Sequence, residues 1–238
     1  MDIMSMSKQE MLSWLEKLES SYVCSRLGLR LGQVVLLVGP SCTAKSWVAL
    51  ELMQALGTGL PLFGKHSTVG CSVLYLNRRH DLERTMRRFL RLQIGNPHKG
   101  LEQFRKSNIT TNLDVECNLE SEEDFQSFAR LTDGYQVVIV ESRIFNNLYD
   151  YWDPVYMQKI SELAKARNQL FLFVTILYNG LESWVDNADC VLKAHRIQKN
   201  QYEQTDQDEF LICSDADDVL PIKYKIVGRD KAVQLVEV

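Results

Sequence analysis

Apolar and polar positions follow two alternating periods between residues 31 and 177. LGQVVLLVG (31–39), CSVLYLN (71–77), YQVVIVES (135–142) and QLFLFVTIL (169–177) are short, nearly unbroken apolar runs. Such runs suit strands buried on both faces of a parallel sheet. Between them lie stretches whose apolar positions recur at helical spacing: 44–59, 81–95, 121–134 and 154–168. The first of these helices is expected to stop at Gly57 or Gly59. The third opens on Ser121 and carries acids in its first turn, where they suit the helix dipole. NITTNLDVEC (108–117) holds a further short strand, and residues 5–20 predict an amphipathic helix with Met11, Trp14, Leu15 and Leu18 on one face.

From about residue 189 the helical period stops. ADCVLKAHR, DEFLICS, LPIKYKIVG and KAVQLVEV read as strands joined by tight turns. Alternating strands and helices predict an α/β fold: a mostly parallel sheet with helices on both faces, right-handed crossovers, and a C-terminal antiparallel extension. Residues 1–29 form an N-terminal helix and lead-in, and residues 30–238 form the core domain.

Composition narrows the class without changing that picture. The chain has 238 residues, 45% of them hydrophobic and 24% charged, as in an ordinary globular protein with one sizeable core. No apolar run reaches the roughly 18–20 residues of a membrane helix. The N-terminal segment carries acids and lacks a signal-peptide pattern, so an intracellular location is expected. The six cysteines form no C-x-x-C pair and read as reduced, mostly buried thiols.

The net charge of −4 excludes a protein coated in positive charge. Charge is nevertheless blocked. Residues 78–91 are rich in arginine, whereas 114–124 and 203–218 are acidic and hold no base. Within the first block Arg84, Arg87, Arg88 and Arg91 share a helical stripe, with Leu82, Met86, Phe89 and Leu90 expected to face the sheet. The stripe suits a DNA phosphate backbone, an acidic patch on a partner, or plain solvent.

The motif that carries chemistry is Gly39-Pro40-Ser41-Cys42-Thr43-Ala44-Lys45-Ser46, a G-x-x-x-x-G-K-[ST] loop with alanine at the second glycine position. It follows an apolar strand and opens a helix. Its N–H groups and the helix N-terminus are expected to cradle the phosphates of ATP, with Lys45 reaching the β- and γ-phosphates. Ser46 and the strand-end acid Glu141 are the candidate Mg²⁺ ligands. Alanine at position 44 disfavours positive φ, at a cost of about 1–2 kcal/mol if the loop needs that conformation.

LLVGPSCTAKS, VLYLNRRHDLER, VVIVES, LFLFVT and the tail ADCVLKAHR…FLICSDADDVLPIKYKIVG together resemble the RecA-type ATPase superfamily over residues 30–238. Leu220-Pro221 entering a strand, with a turn at Gly228, resembles the eukaryotic strand-exchange recombinases and their short paralogs. The resemblance implies a RecA-like P-loop core, ATP and Mg²⁺, a DNA partner (single-stranded or branched) and a sister paralog or recombinase. It also implies a nuclear location and a role in homologous recombination.

Departures from the family pattern imply weak or absent hydrolysis. Arg79 stands where the family has its catalytic glutamate, and Arg78 flanks it; an arginine cannot accept the water's proton. Asp215, Asp217 and Asp218 occupy a region where the family faces a neighbour's nucleotide. The resemblance assigns DNA contact to loops 143–154 and 178–187, the first holding Arg143, Phe145, Tyr149, Tyr151 and Trp152. Those aromatics equally suit the core or a partner surface. The short lead-in implies a subunit of a small defined complex rather than a filament former. A hexameric helicase-type motor and a non-DNA scaffolding P-loop protein are the alternatives.

Overall fold

The computed structural model describes Ser7, Gln9, Leu12, Ser13, and residues 20–77, 82–95, 109–112, 119, 121–141, 154–176, 185–197, 209–215, 219–228 and 233–238. The helix expected over 5–20 falls almost entirely outside them. The first element described is one the periodicity does not predict. Strands β1 (Tyr22–Cys24) and β2 (Leu29–Arg30) form a small antiparallel hairpin around a 3-10 turn that ends on Gly28 at φ 69°.

The main sheet is built from the apolar runs. Its strands are β3 (Val34–Val38), β4 (Val73–Asn77), β5 (Ile109–Asn112), β6 (Val137–Glu141), β7 (Leu170–Val174), β8 (Cys190–Ile197), β9 (Glu209–Ser214), β10 (Ile222–Val227) and β11 (Gln234–Glu237). Their order across the sheet is β11-β10-β9-β8-β3-β7-β6-β4-β5. The segment from β5 to β8 is parallel, and β8 to β11 pair antiparallel. This is the α/β sheet with an antiparallel extension that the pattern predicts. All five residues of β3, β4 and β7 are buried, as strands covered on both faces must be.

Helices α1 (Lys45–Thr58), α2 (Leu82–Gly95), α3 (Glu122–Leu131) and α4 (Pro154–Arg167) cover the two faces. One core holds Val35, Leu37, Tyr75 and Ile139 under α1 and α2, and closes on Phe210, Tyr224 and Leu235 of the extension. The other holds Leu36, Val138 and Phe171 under α3 and α4. The expected Ser121 cap is present: its Oγ accepts the Asp124 N–H at 3.2 Å, a bond worth about 1 kcal/mol.

Two helices differ from the amphipathic reading. Helix α1 is buried on nearly every side from Val48 to Gly57, because α2, residues 63–71, β5 and β11 pack around it as well as the sheet. Helix α2 turns a narrower arc to the core than its sequence suggests. Phe89 and Leu92 are buried, whereas Met86, Leu90 and Ile94 stay exposed. The expectation that Met86 and Leu90 face the sheet is therefore corrected: they lie on the flank, beyond the arc that the sheet can cover.

Candidate functional site: a phosphate loop at the carboxyl end of the sheet

The loop between β3 and α1 lies at the carboxyl end of a central parallel strand, where ligands bind in open α/β sheets. Its shape is set by the extension. A Cβ on Gly39 would collide with the Ala194 carbonyl oxygen of β8 and crowd Thr43 Oγ1 at 3.0 Å, so only glycine fits there. Tyr224 of β10 places its hydroxyl 3.5 Å from the Thr43 carbonyl. Thr43 Oγ1 in turn donates to the Pro40 carbonyl at 2.9 Å.

Two residues hold left-handed backbone in this loop: Cys42 at φ 64° and Ala44 at φ 61°. The condition attached to Ala44 is therefore met, and its methyl sits where glycine would be unstrained. Ala44 is also the N-cap of α1 and supplies no side-chain hydrogen bond. The Trp47 and Val48 N–H groups donate to the Ala44 carbonyl at 2.9 and 3.1 Å, and the N–H groups ahead of them in the first turn have no intrahelical acceptor, which suits an anion.

Lys45 follows. Its ammonium donates to the carbonyls of Gly39 at 2.8 Å and Pro40 at 2.7 Å, and to Thr43 Oγ1 at 3.2 Å. It is 8% exposed. Burial pushes its ammonium below the usual lysine range, and the Glu141 carboxylate partly offsets this. A bound phosphate would act in the same direction as Glu141, stabilising the charged form.

The cleft above the loop measures about 550 Å³ and gathers residues from distant parts of the chain. Ser41 to Trp47 form its floor, Asn77, Arg84, Thr85 and Arg88 one wall, and Glu141, Val174, Thr175 and Ile176 another. Phe210 and Ile226 close it from the extension. Both candidate Mg²⁺ ligands, Ser46 and Glu141, line this space. Glu141 is already engaged: the Tyr75 hydroxyl donates to its carboxylate. Burial and then the Glu141 charge push the Tyr75 phenol well above its ordinary range, so it stays a donor.

These residues suit a polyphosphate: uncapped helix N–H groups, a buried lysine, a hydroxyl and one acid converge on one cleft. When bound, Mg²⁺-ATP would supply a phosphoanhydride; Lys45 and the loop N–H groups would hold its phosphates, and Ser46 with Glu141 its metal.

A family model described as an AAA domain matches residues 20–140, from β1 through the phosphate loop to Val140. The chain belongs to this family of AAA domains. It is also similar to the crystal structure of a KaiC-like protein from the hyperthermophilic archaeon Pyrococcus horikoshii OT3. That likeness has a TM-score of 0.58 at 14% identity and covers 89% of this chain and 91% of the other. Family and fold together make it a RecA-type P-loop ATPase fold. No curated protein matches the sequence.

Of the arginine stripe, Arg84 and Arg88 line the cleft, and Arg88 lies 5.8 Å from the centre of the Trp47 ring. Arg87 and Arg91 point further out. Asp215 lies beside Val191 at the amino end of β8, level with Leu36 in the middle of β3. Its carboxylate accepts the Val191 N–H at 2.6 Å, so it is used in the sheet.

Arg78, Arg79, Arg143, Phe145, Tyr149, Tyr151, Trp152, Asp217 and Asp218 lie outside the described residues, as does most of the second DNA-assigned loop. Periodicity alone does not find Trp47, Thr85, Tyr75 and Phe210. Trp47 carried a signal, since it directly follows the Lys-Ser pair; the others depend on strand order. Buried Cys71 and Cys190 have thiols raised by burial to about 11, in line with inert, reduced cysteines.

Proposed function

We propose that the chain is a nucleotide-binding accessory paralog of the RecA-type recombinases. In this reading it binds ATP with Mg²⁺ and hydrolyses it slowly or not at all. It acts in the nucleus, in homologous recombination, together with a sister paralog and single-stranded or branched DNA.

One observation carries the slow-hydrolysis half. Among the described residues, Glu141 is the only carboxylate lining the phosphate-loop cleft, and Tyr75 already holds it. A P-loop motor needs one acid to place Mg²⁺ and another group to orient the attacking water. A single tethered carboxylate cannot serve both, and a missing base costs about 10²–10⁴-fold in rate. The basic face of α2 opening onto the same cleft supports the DNA half.

The test is a paired measurement on the full chain. ATP binding is expected to be lost in Lys45→Ala, with turnover well under about 1 s⁻¹ in the unaltered chain. Turnover above that rate, abolished by Lys45→Ala, would favour the helicase-type motor. Purification from the source cell should return another RecA-type protein. A homohexamer alone would end the paralog reading.

A further inference from the structure

A second cleft adjoins the phosphate-loop cleft and shares part of its wall. It measures about 560 Å³ and is lined by Trp47, Glu83, Arg84, Arg87, Arg88 and Arg91. Trp47, Arg84 and Arg88 line both clefts. Arg87 and Arg91 line the outer one and not the inner. The one acid among the described lining residues, Glu83, pairs with Arg87 at 2.5 Å on open surface, where such a pair is weak and readily exchanged for a phosphate.

The helix that carries these arginines is fixed in place. Phe89 and Leu92 anchor α2 in the core. Asn77 Nδ2 donates to Thr85 Oγ1 at 2.8 Å in its first turns, and the Val233 N–H donates to the Arg91 carbonyl at 2.9 Å. The guanidiniums therefore move only as far as their own side chains allow. Among the described residues, none that lines the outer cleft is aliphatic. Arginines on a fixed helix, with Arg88 set over the Trp47 ring, are the composition of a groove that tracks a phosphate backbone. An acidic protein segment would sit on the exposed Met86, Leu90 and Ile94 of the same helix, so loss of binding in Met86→Ser/Leu90→Ser but not in the arginine variants would assign the face to a protein instead.

We infer that the outer cleft binds the phosphodiester backbone of a single nucleic-acid strand, and that it shares Arg84 and Arg88 with the nucleotide's phosphates, so that the two ligands antagonise each other. The second half rests on the nucleotide reading above. A guanidinium drawn onto a nucleotide phosphate is withdrawn from the strand, and the loss is reciprocal by linkage. Saturating Mg²⁺-ATP weakens strand binding by about fivefold or more, and the strand weakens ATP binding by the same factor.

The experiment is fluorescence anisotropy of the full chain with a labelled thymidine oligonucleotide of roughly twenty nucleotides at low salt. It is run with and without Mg²⁺-ATP, beside an ATP titration. In the double variant Arg87→Ala/Arg91→Ala, strand affinity is expected to fall about tenfold while ATP affinity is retained. In Arg84→Ala/Arg88→Ala both affinities fall and the antagonism disappears. The inference is overturned if the oligonucleotide does not bind. It is equally overturned if the outer pair of substitutions leaves strand affinity unchanged, or if ATP leaves strand affinity unchanged or raises it. If the unaltered chain binds ATP no better than Lys45→Ala, the nucleotide reading fails and the antagonism with it. The outer-pair variant still decides the strand site in that case.

Discussion

Replacing Ala44 by glycine tests the geometry of the phosphate loop directly. Ala44 sits at φ 61°, ψ 14°. A Cβ in that region costs about 1–2 kcal/mol, which glycine removes. Two terms oppose the gain. Glycine gives the unfolded chain more freedom, worth about 0.4–1 kcal/mol. The half-buried methyl packs against the core, so losing it forfeits about half of the roughly 0.8 kcal/mol of a buried methylene. The balance is a stabilisation of up to about 1 kcal/mol, or a Tm rise of up to ~2–4 °C for a domain of this size. Cys42 gives a cleaner comparison. It has φ 64° and is exposed, so Cys42→Gly lacks the burial term and should gain at least as much. Ala44→Val should lose more than about 1 kcal/mol, because a β-branched residue is a true outlier at positive φ. Urea and thermal unfolding of the three variants provide the measurement. The strained backbone belongs to the folded loop itself, so the effect belongs to folding stability. If both glycine variants prove less stable than the parent by more than about 0.5 kcal/mol, the left-handed assignment is wrong.

Other consequences follow from single contacts. Tyr75→Phe removes a hydrogen bond to a carboxylate from a fully buried ring and should cost about 1.5–3 kcal/mol in urea unfolding; a loss under ~0.5 kcal/mol would mean Glu141 is held by other groups. Glu237 of β11 meets His66 at 2.7 Å and Lys65 at 3.5 Å, and despite burial pushing it up these partners hold its carboxyl below the ordinary 4.5. That contribution is complete above about pH 4.5 and is lost as pH falls through the lower folded value, so unfolding midpoints should drop below pH ~4.5 more steeply in the parent than in Glu237→Gln. Exposed Cys42 should react with iodoacetamide before buried Cys24, Cys71 and Cys190, and Mg²⁺-ATP should slow that labelling several-fold, as peptide mass spectrometry would report. Unchanged labelling at saturating ATP would argue against a phosphate in the loop.

How much of this was legible in the sequence depends on how far apart the deciding residues lie. β3, the loop and α1 form one local unit, and an apolar run followed by Gly39 and a helix is enough to place it. The β1–β2 hairpin is too short to show a period. The burial of α1 on nearly all sides was not readable from α1 itself, because its cover comes from several separate parts of the chain: the sheet beneath it, α2, residues 63–71 and β11. The arginine stripe was readable as a stripe. Which members turn inward was not: Arg84 and Arg88 differ from Arg87 and Arg91 only through the placement of α2 beside Trp47. Asp215 shows the same dependence: only the antiparallel return of β9 sets it beside Val191, where its carboxylate accepts the Val191 N–H.

Strand order also decides what Glu141, at the end of β6, can reach. Strands β4 and β6 are neighbours, with Asn77 opposite Glu141. Tyr75 lies two residues earlier on β4, on the same face, so the contact to Glu141 runs diagonally across the pair. Such diagonal neighbours are about 7–8 Å apart, within reach of long side chains. Glutamate spans that gap to the phenol; aspartate, one methylene shorter, would reach less far from β6. The longer acid is thus anchored to the sheet at the expense of freedom to follow a metal through a reaction. Since Tyr75 is buried and its phenol is held protonated, that anchor does not release within ordinary pH. A carboxylate fixed in this way can still help to position a nucleotide-bound cation from one side, which is what a binding subunit requires and less than what a motor requires.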